Sequence, residues 1–410
     1  MQSVMKTSFA NVPAPTLARS QFDRSCGHKT TIDADYLYPI FVDEAVPGDT
    51  MKLSPTIFAR MATPIYPLMD NLFIESFWFA VPYRILWSNW HKFLGAQDNP
   101  GDSIDYTIPI QTSPASTGYA EGSLYDYMGI PPGIPDFDHS ALPIRAYRLI
   151  YHEWFRDQNL QTSNKPSQSD GPDALVYALK QRGKRHDYFT SCLPYPQKSD
   201  TAVSMPLGAS APITGLGIRN YGTSPGVVGA VRATDGTGLT TPTGWVEDDG
   251  ALGGADQLAT LVISQDASNT GYPDIRADLS NATAATINAI RLAVTTHQFL
   301  ERDARGGTRI NEIILSHFGV VTPDQRVQRP EYLGGSSDRV AINTVPQTSQ
   351  TATTPQGTLS AFGTATAQGG GFTKSFTEHC LIIGIINVRA DLTYQLGVEK
   401  LWTRSTRYDF

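Results

Sequence analysis

Apolar and polar positions first organise the chain into three extended runs, residues 31–42, 51–66 and 71–86, with turn-forming segments at 43–49 and 67–70 between them. In the third run, Leu72-Phe73-Ile74-Glu75-Ser76-Phe77-Trp78-Phe79-Ala80-Val81, aromatic and β-branched residues occupy both parities. That pattern predicts a strand covered on both faces. Such a strand needs a second sheet or helices on top of it. Three consecutive strands joined by tight turns predict an antiparallel β-sandwich or jelly roll.

Helical spacing follows. Residues 88–94 predict a short helix with Ser88 as its N-cap, and 123–128 a second; 130–135, with its three prolines, is loop. Over 142–160, Tyr147, Ile150, Tyr151 and Trp154 recur at i, i+3, i+4 and i+7, a core-facing stripe that leaves Arg145, Arg148, Glu153 and Asp157 for other faces. Ile287, Ile290, Arg291, Val294, His297, Leu300 and Glu301 predict a helix over 284–303 that ends before Gly306-Gly307, and 309–318 a further one closing at Gly319. Residues 325–333 read as strand. The charge-free stretch 341–371 reads as a long loop, disordered or laid against a partner. Residues 376–388 and 391–401 return to strand character, and the chain stops at Phe410 inside what reads as an ordered element.

Composition sharpens this picture. Of the 410 residues only 17% are charged, while Gly (35) and Pro (28) are plentiful, which favours turns and long loops over a helical protein. A net charge of −7 excludes a coat that neutralises nucleic acid by itself, because that needs clustered Lys and Arg. Residues 1–29 carry Lys6, Arg19, Arg24 and Lys29 against Asp23 alone. They form either a solvated arm or one that reaches a neighbouring subunit or a phosphate backbone. Residues 209–280 have a different character: no lysine, three arginines and eight acids, with Gly, Thr, Ser and Ala dominant. They read as a surface insertion between core elements 30–208 and 281–410.

Candidate chemistry is sparse. Lys184, Arg185 and His186 beside Asp187 form a dense polar cluster, but no Gly-rich loop precedes it at P-loop spacing and no nucleophile with an orienting base accompanies it. It reads as a structural or intersubunit polar network. Glu247, Asp248 and Asp249 lack the twelve-position calcium loop, and His297 and His317 lie on different helices with no zincin pattern, so no metal or cofactor is expected. Elbow, Walker, dinucleotide and kinase motifs are absent, so no catalytic residue and no enzyme is expected. Carboxylate pairs are so common in a chain this long that none stands out as a glycosidase pair, and a glycosidase stays open. The three cysteines, Cys26, Cys192 and Cys380, are far apart and predict buried thiols in a reducing compartment. No signal-peptide core opens the chain, and the longest apolar run, 380–388, is too short to span a bilayer, so no membrane insertion is expected.

Several long motifs carry a resemblance. Phe22-Asp23-Arg24-Ser25, Val42-Asp43-Glu44-Ala45-Val46-Pro47-Gly48-Asp49-Thr50, Gly183-Lys184-Arg185-His186-Asp187-Tyr188-Phe189-Thr190, Thr377-Glu378-His379 and Arg404-Ser405-Thr406-Arg407-Tyr408-Asp409-Phe410 closely resemble the major capsid proteins of the Microviridae, small single-stranded DNA bacteriophages, in their gokushovirus branch. The resemblance runs over essentially the whole chain. It implies an eight-stranded antiparallel jelly roll with long insertions and a few helices, sixty copies of which form a T=1 icosahedral virion capsid assembled in the bacterial cytoplasm around circular DNA. Residues 209–280 match the insertion that builds the threefold protrusion, which makes Trp245, Glu247, Asp248, Asp249 and Tyr272 candidates for meeting a host receptor, glycans included. Lys6, Arg19, Arg24 and Lys29 become candidates for a DNA-facing arm. A small basic DNA-binding protein and other minor virion proteins are the implied partners. Family members continue beyond the segment matching Tyr408-Asp409-Phe410, which would shorten the C-terminal part of the barrel here. The competing expectation is a carbohydrate-binding or carbohydrate-active β-sandwich that stacks sugars on Trp245 and Tyr272.

Overall fold

The computed structural model describes residues 17–174, 176–187, 190, 192–199, 203, 213–214, 216–219, 260–263, 276–277, 286–393 and 397–410. Met1–Cys192 with Thr322–Phe410 makes one unit and Leu193–Val321 a second.

The first unit opens with strands β1 (Tyr38–Ala45), β2 (Thr50–Leu53), β3 (Thr56–Met61) and β4 (Asn71–Pro82), then β5 (Ile110–Thr112) and β6 (Asp138–Ser140). The second unit contributes β7 (Ile213–Thr214), β8 (Leu216–Arg219), β9 (Thr260–Ile263) and β10 (Arg276–Ala277), with β7 paired to β10 and β8 to β9. The first unit then resumes with β11 (Glu331–Arg339), β12 (Ala341–Pro346), β13 (Leu359–Gln368), β14 (Phe372–Ser375) and β15 (Cys380–Asp391).

β4 and β15 are the centre of a four-stranded antiparallel sheet in the order β1-β15-β4-β11. Their alternation explains why apolar residues occupy both parities. Trp78, Ala80 and Ile382 pack with Met51, Leu53, Phe372 and Phe376 of the second sheet layer, and Ile74 and Ile386 with Ile57, Ala59, Ala365 and Ala367. On the opposite face, Phe77, Phe79, Val81, Leu381, Ile383 and Ile385 pack beneath helices α1 (Tyr83–Leu86) and α4 (Leu142–Ile150). Burying a large aliphatic or aromatic side chain stabilises the fold by about 1.5–3 kcal/mol, so these two cores hold the layers together. A side chain on Gly384 would collide with the Trp78 indole, which lies across that glycine from the paired position.

The second layer is a bent ribbon. The expected run 51–66 breaks at Ser54-Pro55 into β2 and β3, and its partner breaks at Gly369-Gly370-Gly371 into β14 and β13. Proline cannot donate to a ladder, and a Cβ on Gly371 would strike the Leu53 carbonyl, so both chains bend at one place. β12 extends β13 on its other side.

Several expectations are corrected. Residues 31–36 are not strand; the first begins at Tyr38. Residues 341–371 are not a loop but contain the β12–β13 hairpin, whose inward positions on β13 are Gly363, Ala365 and Ala367. Residues 325–333 become strand only from Glu331; β15 ends at Asp391, and the described residues 392–393 and 397–401 hold no strand, Lys400–Thr403 being the single helical turn α7. The sandwich is mainly β, as expected, and its described strands form three antiparallel sheets, β1-β15-β4-β11, β12-β13-β3 and β14-β2. Helix α2 (Trp90–Phe93) is preceded by Asn89 in the cap position, while Ser88 Oγ donates to the Gln168 carbonyl at 3.0 Å. Helix α3 (Leu124–Tyr127) lies within the expected 123–128 and is capped by Ser123, whose side chain accepts from the Asp126 amide. The helix expected over 142–160 ends at Ile150 and passes into a π-turn, Tyr151–Phe155, closed by the Arg156 amide on the Tyr151 carbonyl. Widening that turn brings Trp154 and Phe155 both onto Phe79, with ring centroids 5.5 and 6.0 Å away. Arg145 and Arg148, which the stripe left for other faces, are buried too.

In the second unit, α5 (Ile287–Gly306) starts at Thr286, whose hydroxyl accepts from the Ala289 amide at 3.1 Å. α6 (Ile310–Phe318) ends at left-handed Gly319, as the sequence predicts. His317 joins α6 to α5 through Asp303 at 2.5 Å and the Phe299 ring at 4.7 Å.

The cysteine expectation holds in part: Cys380 is buried, but Cys26 and Cys192 are exposed, and none forms a disulfide. Burial pushes the Cys380 thiol up to about 12. Alkylation of the native protein at neutral pH is therefore expected to label Cys26 and Cys192 and spare Cys380 until denaturant is added. Equal labelling of all three would contradict this placement.

Candidate functional site

The polar end of the helix-facing side of the main sheet holds a dense cluster of charge. Glu75 stands on β4 in the same alternation as Phe73 and Phe77, flanked by Ser337 of β11 and Asn387 of β15. It is buried, 6% exposed, in a strand whose other polar residues are Asn71 and Ser76. Three guanidiniums converge on its carboxylate: Arg182 on Oε2, Arg185 on Oε1 at 3.1 Å, and Arg389 with Nε 3.0 Å from Oε2. Ser337 Oγ donates to Oε1 at 3.2 Å. Arg185 also reaches Asp391 at 3.1 Å and stacks over the Phe73 ring at 4.3 Å, while Arg182 lies over Phe77 at 4.7 Å.

Burial alone would raise the Glu75 pKa, but the charges of Arg182 and Arg389 and hydrogen bonds from Arg185 and Arg182 outweigh it and hold the carboxyl below its ordinary value. Burial in turn pulls the Arg182 guanidinium down to about 10 against the pull of Glu75, which still leaves it charged at neutral pH. The cluster fastens segment 180–187 to the sheet. Backbone bonds from the Leu37 amide to the Lys180 carbonyl (2.9 Å) and from the Arg182 amide to the Asp35 carbonyl (2.7 Å) complete the attachment. Every acidic group here is engaged by a guanidinium or a hydroxyl, an arrangement suited to holding chain segments together.

The sequence-singled residues thus divide. Arg185 enters the network; Asp187 accepts from the Thr190 amide at 2.7 Å and shapes the turn; Lys184 and His186 are exposed along a cleft of about 250 Å³ beside Asp391. In the N-terminal arm, Arg24 pairs with Asp43 of β1 at 2.9 Å, Arg19 donates to the Gly48 carbonyl in the β1–β2 turn, and Lys29 is exposed. Lys6, Trp245, Glu247, Asp248, Asp249 and Tyr272 lie outside the described residues. Sequence reasoning missed Glu75, Arg182 and Arg389. One acid inside an apolar strand was the available signal.

A second feature is apolar surface left in solvent. Ile65, Met69, Trp402, Tyr408 and Phe410 are each more than three-quarters exposed in the first unit. On α5 of the second unit, Ile287, Ile290 and Val294 share one helical face, and all three are exposed, as are Phe318 and Val321 at the end of α6. Large apolar side chains left in water in such numbers mark surfaces for protein partners. Among the described residues no helix is long and apolar enough to cross a membrane, and no group of three or more His, Cys, Asp or Glu is placed to hold a metal.

A braced sandwich carrying that much uncovered apolar surface is a structural building block, a protein made to be surrounded by others. The chain belongs to the capsid protein (F protein) family, whose model it matches over residues 10–410. It is 45% identical over 417 residues to capsid protein VP1 of Bdellovibrio phage phiMH2K, covering 98% of this chain and 75% of the relative. To VP1 of Chlamydia phage 1 it is 39% identical over 462 residues (100% and 77%), and to VP1 of Spiroplasma virus 4, 37% over 402 residues (92% and 70%). The gokushovirus-like resemblance read from the sequence is borne out, and the role is structural, in the capsid of a single-stranded DNA phage.

Proposed function

We propose that this chain closes, as sixty copies, into a T=1 icosahedral shell around a circular single-stranded DNA genome, assembling in the cytoplasm of a bacterial host. The observation that carries this reading is the uncovered apolar surface of α5, α6 and the C-terminal segment in a chain of the capsid family. Closed symmetry lets many modest contacts add up to a stable particle. The sandwich is read as a jelly roll whose first strand, β1, lies beside its last, β15, with the bent ribbon as the opposing sheet. Residues 209–280 are read as the protrusion at the threefold axis, where Trp245, Tyr272 and the acids 247–249 meet a host receptor, glycans included by the chemistry of those rings.

Because the chain carries −7 overall, the genome needs other cations, and a small basic protein supplies them. Electron microscopy of the expressed protein tests the shell reading: uniform small spherical particles with nuclease-protected DNA support it, and a persistent monomer sinks it. Neutralising Lys6, Arg19 and Arg24 together is expected to lower DNA content per particle while particle yield stays near wild type. Equal DNA content in mutant and wild-type particles would remove the DNA-facing role from the arm. Glycan binding by intact particles, lost on replacing Trp245 and Tyr272, checks the attachment role.

A further inference from the structure

The outer edge of β12 is open: in the ladder β12-β13-β3 it pairs with β13 on one side and, among the described residues, with no strand on the other. Five of its six residues are exposed. Proteins usually protect such edges with charge, yet residues 341–371 contain no Asp, Glu, Lys, Arg or His. On the solvent side of the ladder, Ala341, Asn343 and Val345 stand opposite Thr364, Phe362 and Ser360, and Phe362 and Val345 are exposed there.

We propose that β12 is an interface that pairs antiparallel with β12 of a second copy of this chain, about a twofold axis through Asn343. Charge selects the occupant. A nucleic acid needs cations and a basic protein needs acids, and this edge offers neither. An uncharged strand is matched by its own copy at little desolvation cost. Geometry sets the register. Two identical strands related by an axis perpendicular to their sheet keep the same faces, so residues of equal parity meet. Centring on Asn343 places its amide against the amide of the same residue in the other copy, a self-complementary donor and acceptor pair. Ala341 then meets Val345 on either side, and Ile342 meets Thr344 on the inner face. Pro346, which cannot donate, limits the ladder at its end. The choice of a second copy rests on the shell reading; the open edge does not.

The test is sedimentation of the full chain together with hydrogen exchange of residues 341–346, dilute and associated. The wild type is expected to form dimers in which alternate β12 amides exchange at least about tenfold more slowly than in the monomer. Asn343→Lys places like charges across the axis and is expected to weaken association by about tenfold or more with an unchanged thermal midpoint. Mixing it with Asn343→Asp restores association, which a general surface effect would not do. Unchanged β12 exchange on association, or Asn343→Lys associating as tightly as wild type, overturns the interface. Particles seen by microscopy without β12 protection would remove the interface and keep the shell; twofold dimers that never form particles would do the reverse.

Discussion

Replacing Glu75 with glutamine is expected to destabilise the folded chain by about 3–5 kcal/mol, the range for breaking a buried ion pair from one side. The amide keeps the shape and one acceptor but removes the charge that Arg182, Arg185 and Arg389 share; Arg185 retains Asp391, whereas among the described residues no ion pair is left to Arg182. The same residue sets an acid limit. Its folded pKa lies below the ordinary value. The stability it contributes is therefore complete above the unfolded carboxylate pKa and is lost as pH falls through the folded one. Denaturant unfolding from neutral pH into the acid range should show the wild type losing stability there and Glu75→Gln losing less, from a lower start. A variant as stable as wild type at neutral pH would show that the cluster is surface decoration.

Arg145→Met is expected to have an effect of similar size, about 3–5 kcal/mol. Arg145 is fully buried in α4, grips Asp173 with two bonds of 2.9 and 2.7 Å, and donates to the carbonyls of Ser169 (2.8 Å) and Leu86 (3.3 Å). Methionine fills much of the space but leaves a carboxylate and two carbonyls without their donor. Segment 168–173 should loosen first, read as faster exchange of the Asp173 amide, which bonds the Ile110 carbonyl at 3.0 Å. The double variant Arg145→Met with Asp173→Leu should recover part of the loss, because it removes the stranded charge too. If the double variant is no better than the single, the cost lies in shape and not in charge.

Much of the fold was legible where side chains are large. The run ending at Val81 announced a doubly covered strand because Phe77, Phe79 and Val81 serve the helical face while Trp78 and Ala80 serve the ribbon. The β12–β13 hairpin was illegible for the opposite reason: its inward positions are Gly363, Ala365 and Ala367, which give hydropathy no alternation to detect, although they let the ribbon lie close to Ile74 and Ile386. Helical spacing placed Tyr147, Ile150 and Tyr151 correctly but left Arg145 off the core stripe, because periodicity cannot foresee a partner such as Asp173, well over twenty residues away. The 183–190 motif was picked out as a polar network, and Arg185 joins one. Its anchor, Glu75, sits a hundred residues earlier, and only the register of β4 with β15 brings Arg389 to it.

The position of β15 has a consequence in time. Residues 380–391 insert between β1 and β4, about three hundred positions or more upstream, so the main sheet has a gap until β15 itself has been made. Loop closure over such separations is slow. A nascent chain still on the ribosome therefore lacks the finished sheet that any neighbour would have to recognise, and synthesis itself delays the moment at which one copy becomes competent to join another.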